Sequence, residues 1–535
     1  MSVASSVDRV PAFDRDSSVR RSGSAGRFVL GGSPIRLFSL TPAGAALMDR
    51  IELSEPFEAT PAERDLITRW QDAGLLHPRP DLSAAVSPSP QVTLVVPVRD
   101  RAEGVQRLLA SIAADQSDAA TAILEVVIVD DGSVLPLIVE TAGQRLPAVR
   151  VIRVEQSVGP GQARNLGLQQ VSTELVAFVD SDCQVTTDWL APLLGQIADP
   201  FVVAAAPRVK AVPPVTGQTP ASQTRASQAR LGQTSTEQTR AGELTALEQY
   251  ELSRSPLDLG KQAGRVQAGT RVSYVPSAAV LMRTEVIREA GGFNPSLLVG
   301  EDVDLIWRLV DQGGRVRYEP RSMVHHEIRS GLPDWIRQRV GYGTSAAALD
   351  RAHPGLVAPA VLSPWSAAVW GLVATAHPVL AAALGVGTTV QLSKKLPELP
   401  RREVLQLGIG GHLGAGRQLA RSVQRVWWPV ALPAAVSSRR VRHAVLGAVV
   451  LTAVDSLRQV RSEATAPQGV PESLRFVGLG LLDDMSYGAG VWLGCIRERR
   501  VGPLLPSFAR SRTKPRARTK PRARTKPRAL TSAES

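Results

Sequence analysis

The sequence predicts an α/β domain built on a parallel sheet, and three observations lead to it. Val92 to Val98, Leu124 to Val129 and Leu175 to Val179 are unbroken apolar, β-branched runs, the pattern of strands buried on both faces. Helical segments such as Gln162 to Gln170 alternate with them, the order that parallel crossovers require. Acidic residues follow each run at the strand end, where open sheets of this kind bind ligands. With 535 residues, 44% of them hydrophobic, the chain can fill two or three domains, and global disorder is excluded. Its two cysteines, Cys183 and Cys495, stand far apart in the chain. Neither a disulfide framework nor a cysteine-built zinc site is therefore expected, and a reducing compartment is.

Taken in order, residues 1–26 are rich in Ser, Arg and Asp and lack the apolar stretch of a signal peptide, so a disordered leader on a cytoplasmic protein is expected. Residues 27–80 read as a small winged-helix-like module. Phe28–Leu30 and Ile35–Phe38 flank the turn Gly31-Gly32-Ser33-Pro34. Thr41-Pro42 offers one helix start, Thr60-Pro61-Ala62-Glu63 a capping box for a second, and Gly74 its end. A Pro/Ser/Ala linker at 81–90 leads to the α/β domain at 91–350. A Gln/Thr/Ser-rich insertion at 213–246, with too few large apolar residues for a core, interrupts that domain. Its last strands are expected around Val272–Met282 and Val316–Tyr318.

Residues 351–508 form an apolar and basic helical region. Ala352 to Ser393 holds no Asp, Glu, Lys or Arg in 42 residues, yet Pro354, Pro359, Pro364 and Pro378 divide it. The pieces fall short of the roughly 20 residues of a spanning helix. With Trp365, Trp370 and the flank at Lys394 and Lys395, the stretch suits a hairpin seated at the inner face of a membrane; a buried helical core is the other reading. Three copies of Arg-Thr-Lys-Pro-Arg-Ala at 512–529 make residues 509–535 an extended basic tail, suited to an anionic membrane surface. The net charge of +13 is local: the tail carries +9, residues 394–461 carry +9, and the remainder sums to −5. Specific nucleic-acid binding, which would place basic residues throughout the folded domains, is not expected.

Five clusters carry chemistry. Val96-Pro97-Val98-Arg99-Asp100 closes the first strand and Val129-Asp130-Asp131-Gly132-Ser133 the second. Carboxylates there can accept hydrogen bonds from a base N–H or from ribose hydroxyls, or simply cap the next segment. Asp180-Ser181-Asp182 follows the third strand, and two carboxylates so spaced can reach one hard divalent cation, Mn²⁺ or Mg²⁺, on a nucleotide diphosphate. As an isolated pattern it is also a common polar turn. Gly300-Glu301-Asp302 opens a helix on which Leu305, Ile306, Leu309 and Val310 recur at helical spacing, and the helix N-terminus should keep a general base there ionised. Gly159-Pro160-Gly161, followed by Arg164, precedes a helix, a setting for an anion. The absence of Gly-x-Gly-x-x-Gly and Gly-Lys-Ser/Thr argues against a dehydrogenase and a P-loop enzyme. His325 and His326 are candidate metal or phosphate ligands.

In this order the clusters resemble the inverting glycosyltransferases of family 2, which have the GT-A fold, over roughly residues 90–340. The resemblance implies that Asp100 and Asp131, with Asp130 and Arg164, contact the nucleotide sugar. It implies that Asp180 and Asp182, with His325 or His326, hold the metal, that Asp302 is the general base and that Glu301 positions the acceptor. Residues 27–80, with Leu30-Gly31-Gly32-Ser33-Pro34 and Leu75-Leu76-His77-Pro78-Arg79-Pro80, are similar to the N-terminal part of the mycofactocin-system glycosyltransferases, where a peptide-recognition module precedes the transferase. That similarity implies transfer of glucose from UDP-glucose to the peptide-derived redox cofactor premycofactocin, building a β-1,4-linked oligoglucoside. The insertion and the repeat tail depart from that pattern. The rival readings are a membrane-associated family 2 enzyme acting on a lipid-linked or cell-wall glycan, and a non-catalytic nucleotide-binding scaffold.

Overall fold

The computed structural model describes residues 9–23, 26–79, 90–140, 145–213, 244–329, 331–460 and 469–508. Nearly all of the linker and the insertion, and the whole basic tail, lie outside these residues. The three apolar runs form the middle of a nine-stranded sheet. Val92–Val98 pairs in parallel with Ile123–Asp131 on one side and with Leu175–Val179 on the other, and Ala148–Val154 extends the parallel half at its edge. Beyond Leu175–Val179 the sheet is mixed, so the parallel arrangement read from the apolar runs holds for the half they form. Ala279–Arg283 runs antiparallel to both Leu175–Val179 and Val202–Val212, while Val202–Val212 runs parallel to Arg315–Glu327. The architecture is the GT-A glycosyltransferase fold.

Side chains alternate across the strands, so each strand feeds two cores. Leu94, Val96, Leu108 and Trp189 fill one, and Val95, Phe178, Phe293 and Leu305 the other. With both faces covered, polar side chains reach solvent mainly where strands end. Two strands had no clear signal in the sequence. Ala148–Val154 is a half-exposed edge, and Val202–Val212 is built on the small residues Ala204, Ala205 and Ala206. Val272 makes only an isolated bridge to Val266, and the strand expected from there begins at Ala279.

The N-terminal module starts earlier than expected. Residues assigned to a disordered leader form strands: Arg9–Val10 pairs with Phe57–Glu58, Ala12–Arg15 with Leu76–Arg79, and Arg20–Ser22 with Phe28–Gly31. Phe13 and Val19 are buried with Met48 and Trp70. Their partners lie up to some sixty residues away, so no local pattern announces them. Both expected helices form, Pro42–Glu52 capped by Thr41 and Pro61–Asp72 by the Thr60–Glu63 capping box.

After the sheet domain, helices Leu332–Ala352 and Val470–Glu498 lie against each other at glycine contacts. A Cβ on Gly490 would stand 2.0 Å from the Val340 carbonyl oxygen, and one on Gly343 2.1 Å from that of Tyr487. Only glycine permits this approach. The charge-free stretch folds as helices Pro364–Ala374 and Pro378–Lys395 packed on helix Arg401–Arg425, where Trp370 Nε1–H donates to the His412 carbonyl at 2.7 Å. Among the described residues no helix is long and apolar enough to cross a membrane. Both cysteines are free and buried.

Candidate active site

The strand ends converge on a cavity of about 840 Å³ lined by Arg164, Asp180, Asp182, Glu301, Asp302 and His326. Leu175–Val179 delivers Asp180 and Asp182, and the helix Glu301–Asp311 delivers its two first acids. The hub is Arg164, on helix Pro160–Gln170. Its guanidinium is only 4% exposed and donates to Asp180 Oδ1 at 2.6 Å and to Glu301 Oε1 at 2.8 Å. Burial alone would lower its pKa, but Asp180 and then Glu301 outweigh it and hold the cation fixed.

The pair Glu301 and Asp302 departs from expectation. The helix N-terminus was to keep them ionised, yet burial and the charge of Asp302 push Glu301 up to about 7, and burial pushes Asp302 up against the N–H groups of Val303 and Ser277. Two adjacent buried carboxylates cannot both ionise cheaply, and desolvation exceeds the field of one helix end. Asp302 Oδ2 accepts from the Ser277 N–H at 3.3 Å.

Asp182 accepts from Arg101 at 2.7 Å and stands 3.4 Å from His326 Nε2. Of the two histidines, His326 lines the cavity and His325 does not. Successive residues of Arg315–Glu327 face opposite ways, and His325 lies off the cavity beside Lys210, where burial and then that lysine lower its pKa. Among the described residues no three His, Cys, Asp or Glu side chains already form a metal cage.

The second-strand acids also differ from expectation. Asp130 is fully buried and accepts from Arg153 at 2.5 Å and from the Ser133 N–H at 3.0 Å. Burial raises its pKa, but the bonds from Ser133 and then Arg153 prevail and hold it below the usual carboxylate range. It braces a loop and has no surface for a ligand. Asp131 clamps the turn before helix Pro160–Gln170, accepting from Ser157 Oγ–H at 2.8 Å, Val158 N–H at 2.6 Å and Gly159 N–H at 3.0 Å. Asp100 accepts from the Val134 N–H at 2.7 Å and is about half exposed. None of the three lines the cavity.

The rest of the cavity's lining was not legible as part of a site. Tyr274, Tyr342, Arg425, Asp484 and Tyr487 belong to it, the last three from the helical region. Burial and then Asp302 raise the Tyr274 pKa, so this phenol stays protonated beside the acidic pair. One signal was available: Asp483 and Asp484 are adjacent acids inside the otherwise apolar stretch Phe476–Cys495.

The Glycosyl transferase family 2 profile matches residues 93–251, and that of Glycosyl transferase family group 2 matches residues 245–397. A pre-mycofactocin glycosyltransferase of Mycobacterium tuberculosis is 37% identical over 502 residues, 92% of this chain and 96% of the relative. The chain belongs to this family of mycofactocin-system glycosyltransferases. As a family 2 glycosyltransferase it is an enzyme, and the cavity that gathers Asp180, Asp182, Glu301, Asp302 and His326 is the candidate centre. Polypeptide N-acetylgalactosaminyltransferase 15 of Mus musculus is 27% identical over 211 residues, 38% of this chain and 31% of the relative. Among solved structures, a mannosyltransferase of Pyrobaculum calidifontis in complex with GDP-Man and Mn²⁺ is 19% identical, with a TM-score of 0.34, over 63% of this chain and 88% of that one.

Proposed function

We propose that this glycosyltransferase moves glucose from UDP-glucose to premycofactocin and repeats the transfer to build a β-1,4-linked oligoglucoside. The observation that carries the reading is the placement of Asp302 in one cavity with Asp180, Asp182 and His326, in a chain 37% identical to a relative named for that acceptor. Asp302 takes the proton of the acceptor hydroxyl as that oxygen attacks the anomeric carbon. UDP leaves on the opposite side, and a single in-line step inverts the configuration. Glu301, held by Arg164, orients the acceptor beside the base. Asp100 binds the nucleoside, and Asp131 shapes the turn against it.

Two carboxylates and an imidazole are a hard O/N donor set with room for ligand oxygens, which fits Mn²⁺ or Mg²⁺ shared with a diphosphate. Asp180, Asp182 and His326 would hold the ion, whose charge offsets that of the departing diphosphate. Arg101, exposed and paired with Asp182 in the structure, would turn toward the phosphates, while buried Arg164 keeps its place on Asp180 and Glu301.

Mass spectrometry of premycofactocin incubated with the protein, UDP-glucose and Mn²⁺ or Mg²⁺ tests the reading. Serial hexose additions support it. Consumption of UDP-glucose without modified acceptor would transfer the assignment to a lipid-linked or cell-wall glycan. A membrane contact has its own support: Leu380, Val386, Leu405 and Ile409 are exposed near Lys394 and Lys395. Cosedimentation with anionic but not neutral vesicles is the expected result, and no binding to either removes it.

A further inference from the structure

The sheet side of the cavity accounts for donor, metal and base, but most of the remaining lining has no part in those roles. An acceptor whose hydroxyl meets Asp302 must extend away from the donor, and what it meets there is the helical region. Tyr274, Tyr342, Arg425 and Tyr487 line the same cavity as Asp302. Tyr487 comes from helix Val470–Glu498, and the Arg425 guanidinium lies 3.7 Å from its ring centroid. Arg425 is itself fixed by Asp484 at 2.7 Å, and Gln424 donates to the same carboxylate at 2.8 Å.

One further cation lines the cavity without a close pair. Arg421 stands one turn before Arg425 and is exposed; among the described residues its side chain makes no hydrogen bond or ion pair, and Asp484 attracts it from beyond contact distance. Its five N–H donors are met by solvent rather than by protein acceptors, so they are free to turn to ligand oxygens. Ring face, phenol hydroxyl, guanidinium, amide and carboxylate on one surface are the inventory that recognises a polyol: apolar area for the sugar's C–H face, with a few placed polar groups to orient its hydroxyls. The volume of about 840 Å³ lies toward the top of the roughly 300–1,000 Å³ range of small-molecule sites, which suits two ligands at once.

We propose that Arg421 and Tyr487, on the C-terminal helices, form a glycan subsite that holds the glucose units already attached to the acceptor. The inference rests on the oligoglucoside reading above and assigns the helical region a part in product length. Cellotetraose, a soluble β-1,4-glucan, probes the subsite directly by calorimetric titration of the full chain in the presence of UDP. Wild type is expected to bind, and Arg421→Ala and Tyr487→Leu to bind at least tenfold more weakly. Tyr487→Phe, which keeps the ring, should recover much of the loss, and Arg421→Lys guards against a folding artefact. In the transferase assay the same variants should raise KM for glucosylated acceptor far more than they lower kcat. Absence of cellotetraose binding by wild type, or equal binding by all variants, overturns the subsite. Failure of premycofactocin to accept any hexose overturns the acceptor assignment instead, because the titration uses neither donor sugar nor premycofactocin.

Discussion

On the sheet side of the cavity the candidate acids Asp180 and Asp182 follow a strand whose own residues are wholly buried and apolar, Leu175–Val179. On the helical side the polar groups project from helices held by ion pairs and by glycine contacts. Glu251 and Asp483 both grip Arg339, which is 3% exposed, and Trp335 Nε1–H donates to Glu251 at 2.8 Å. The first wall is positioned by apolar burial and keeps its polar residues for chemistry. The second uses part of its charge to hold itself together, so its architecture and its recognition of ligands are harder to separate.

The difference can be broken from either side. The largest effect is expected at Asp302→Asn, which removes the proposed base and should lower turnover by about 10²–10⁴-fold with donor binding retained. Single-turnover kinetics beside UDP titration checks this, and near-normal turnover would remove Asp302 from the mechanism. On the helical wall, Arg339→Ala leaves two buried acids without their cation and should cost about 3–5 kcal/mol in urea unfolding. A loss below 1 kcal/mol would show that the network is ornamental. Gly490→Val drives a side chain into the Val340 carbonyl and should cost about 1–3 kcal/mol or more, with a rise in KM for acceptor as Tyr487 shifts. An unchanged KM would uncouple the helix pair from the cavity.

The subtlest prediction concerns pH. The raised values of Glu301 and Asp302 mean that the folded pair takes up a proton as pH falls through about 7. The proposed base is then blocked, so kcat should fall on the acid side of neutrality and recover as pH rises. Glu301→Gln removes the neighbouring negative charge, which lowers the Asp302 pKa and should move the acid limb to lower pH. A limb that stays in place would assign it to another group.

Much of the sheet wall was legible because its signals are local. Asp180-Ser181-Asp182 follows an unbroken apolar run, and Gly300-Glu301-Asp302 opens an amphipathic helix. Asp130 and Asp131 show where such reading stops, because a strand-end acid looks the same in sequence whether it meets a ligand or, as Asp130 does, the Arg153 guanidinium of the next strand. The strands at 9–22 and the edge strand Ala148–Val154 were missed for a related reason, since their stability comes from partners distant in sequence or from a single buried face.

By itself the sequence determined the order of buried strands, the helix starts at Thr41 and Thr60, and the acids offered at the strand ends. These depend on periodicity and capping within a few residues, which short-range sterics and hydrogen bonding decide. Only the tertiary structure decided that His326 rather than His325 meets Asp182, that burial raises the pKa values of both Glu301 and Asp302, and that Arg421, Asp484 and Tyr487 line one cavity with Asp302. Those facts depend on which face a strand turns to its neighbour, on how fully two acids are desolvated, and on helices brought together through glycines some 150 residues apart.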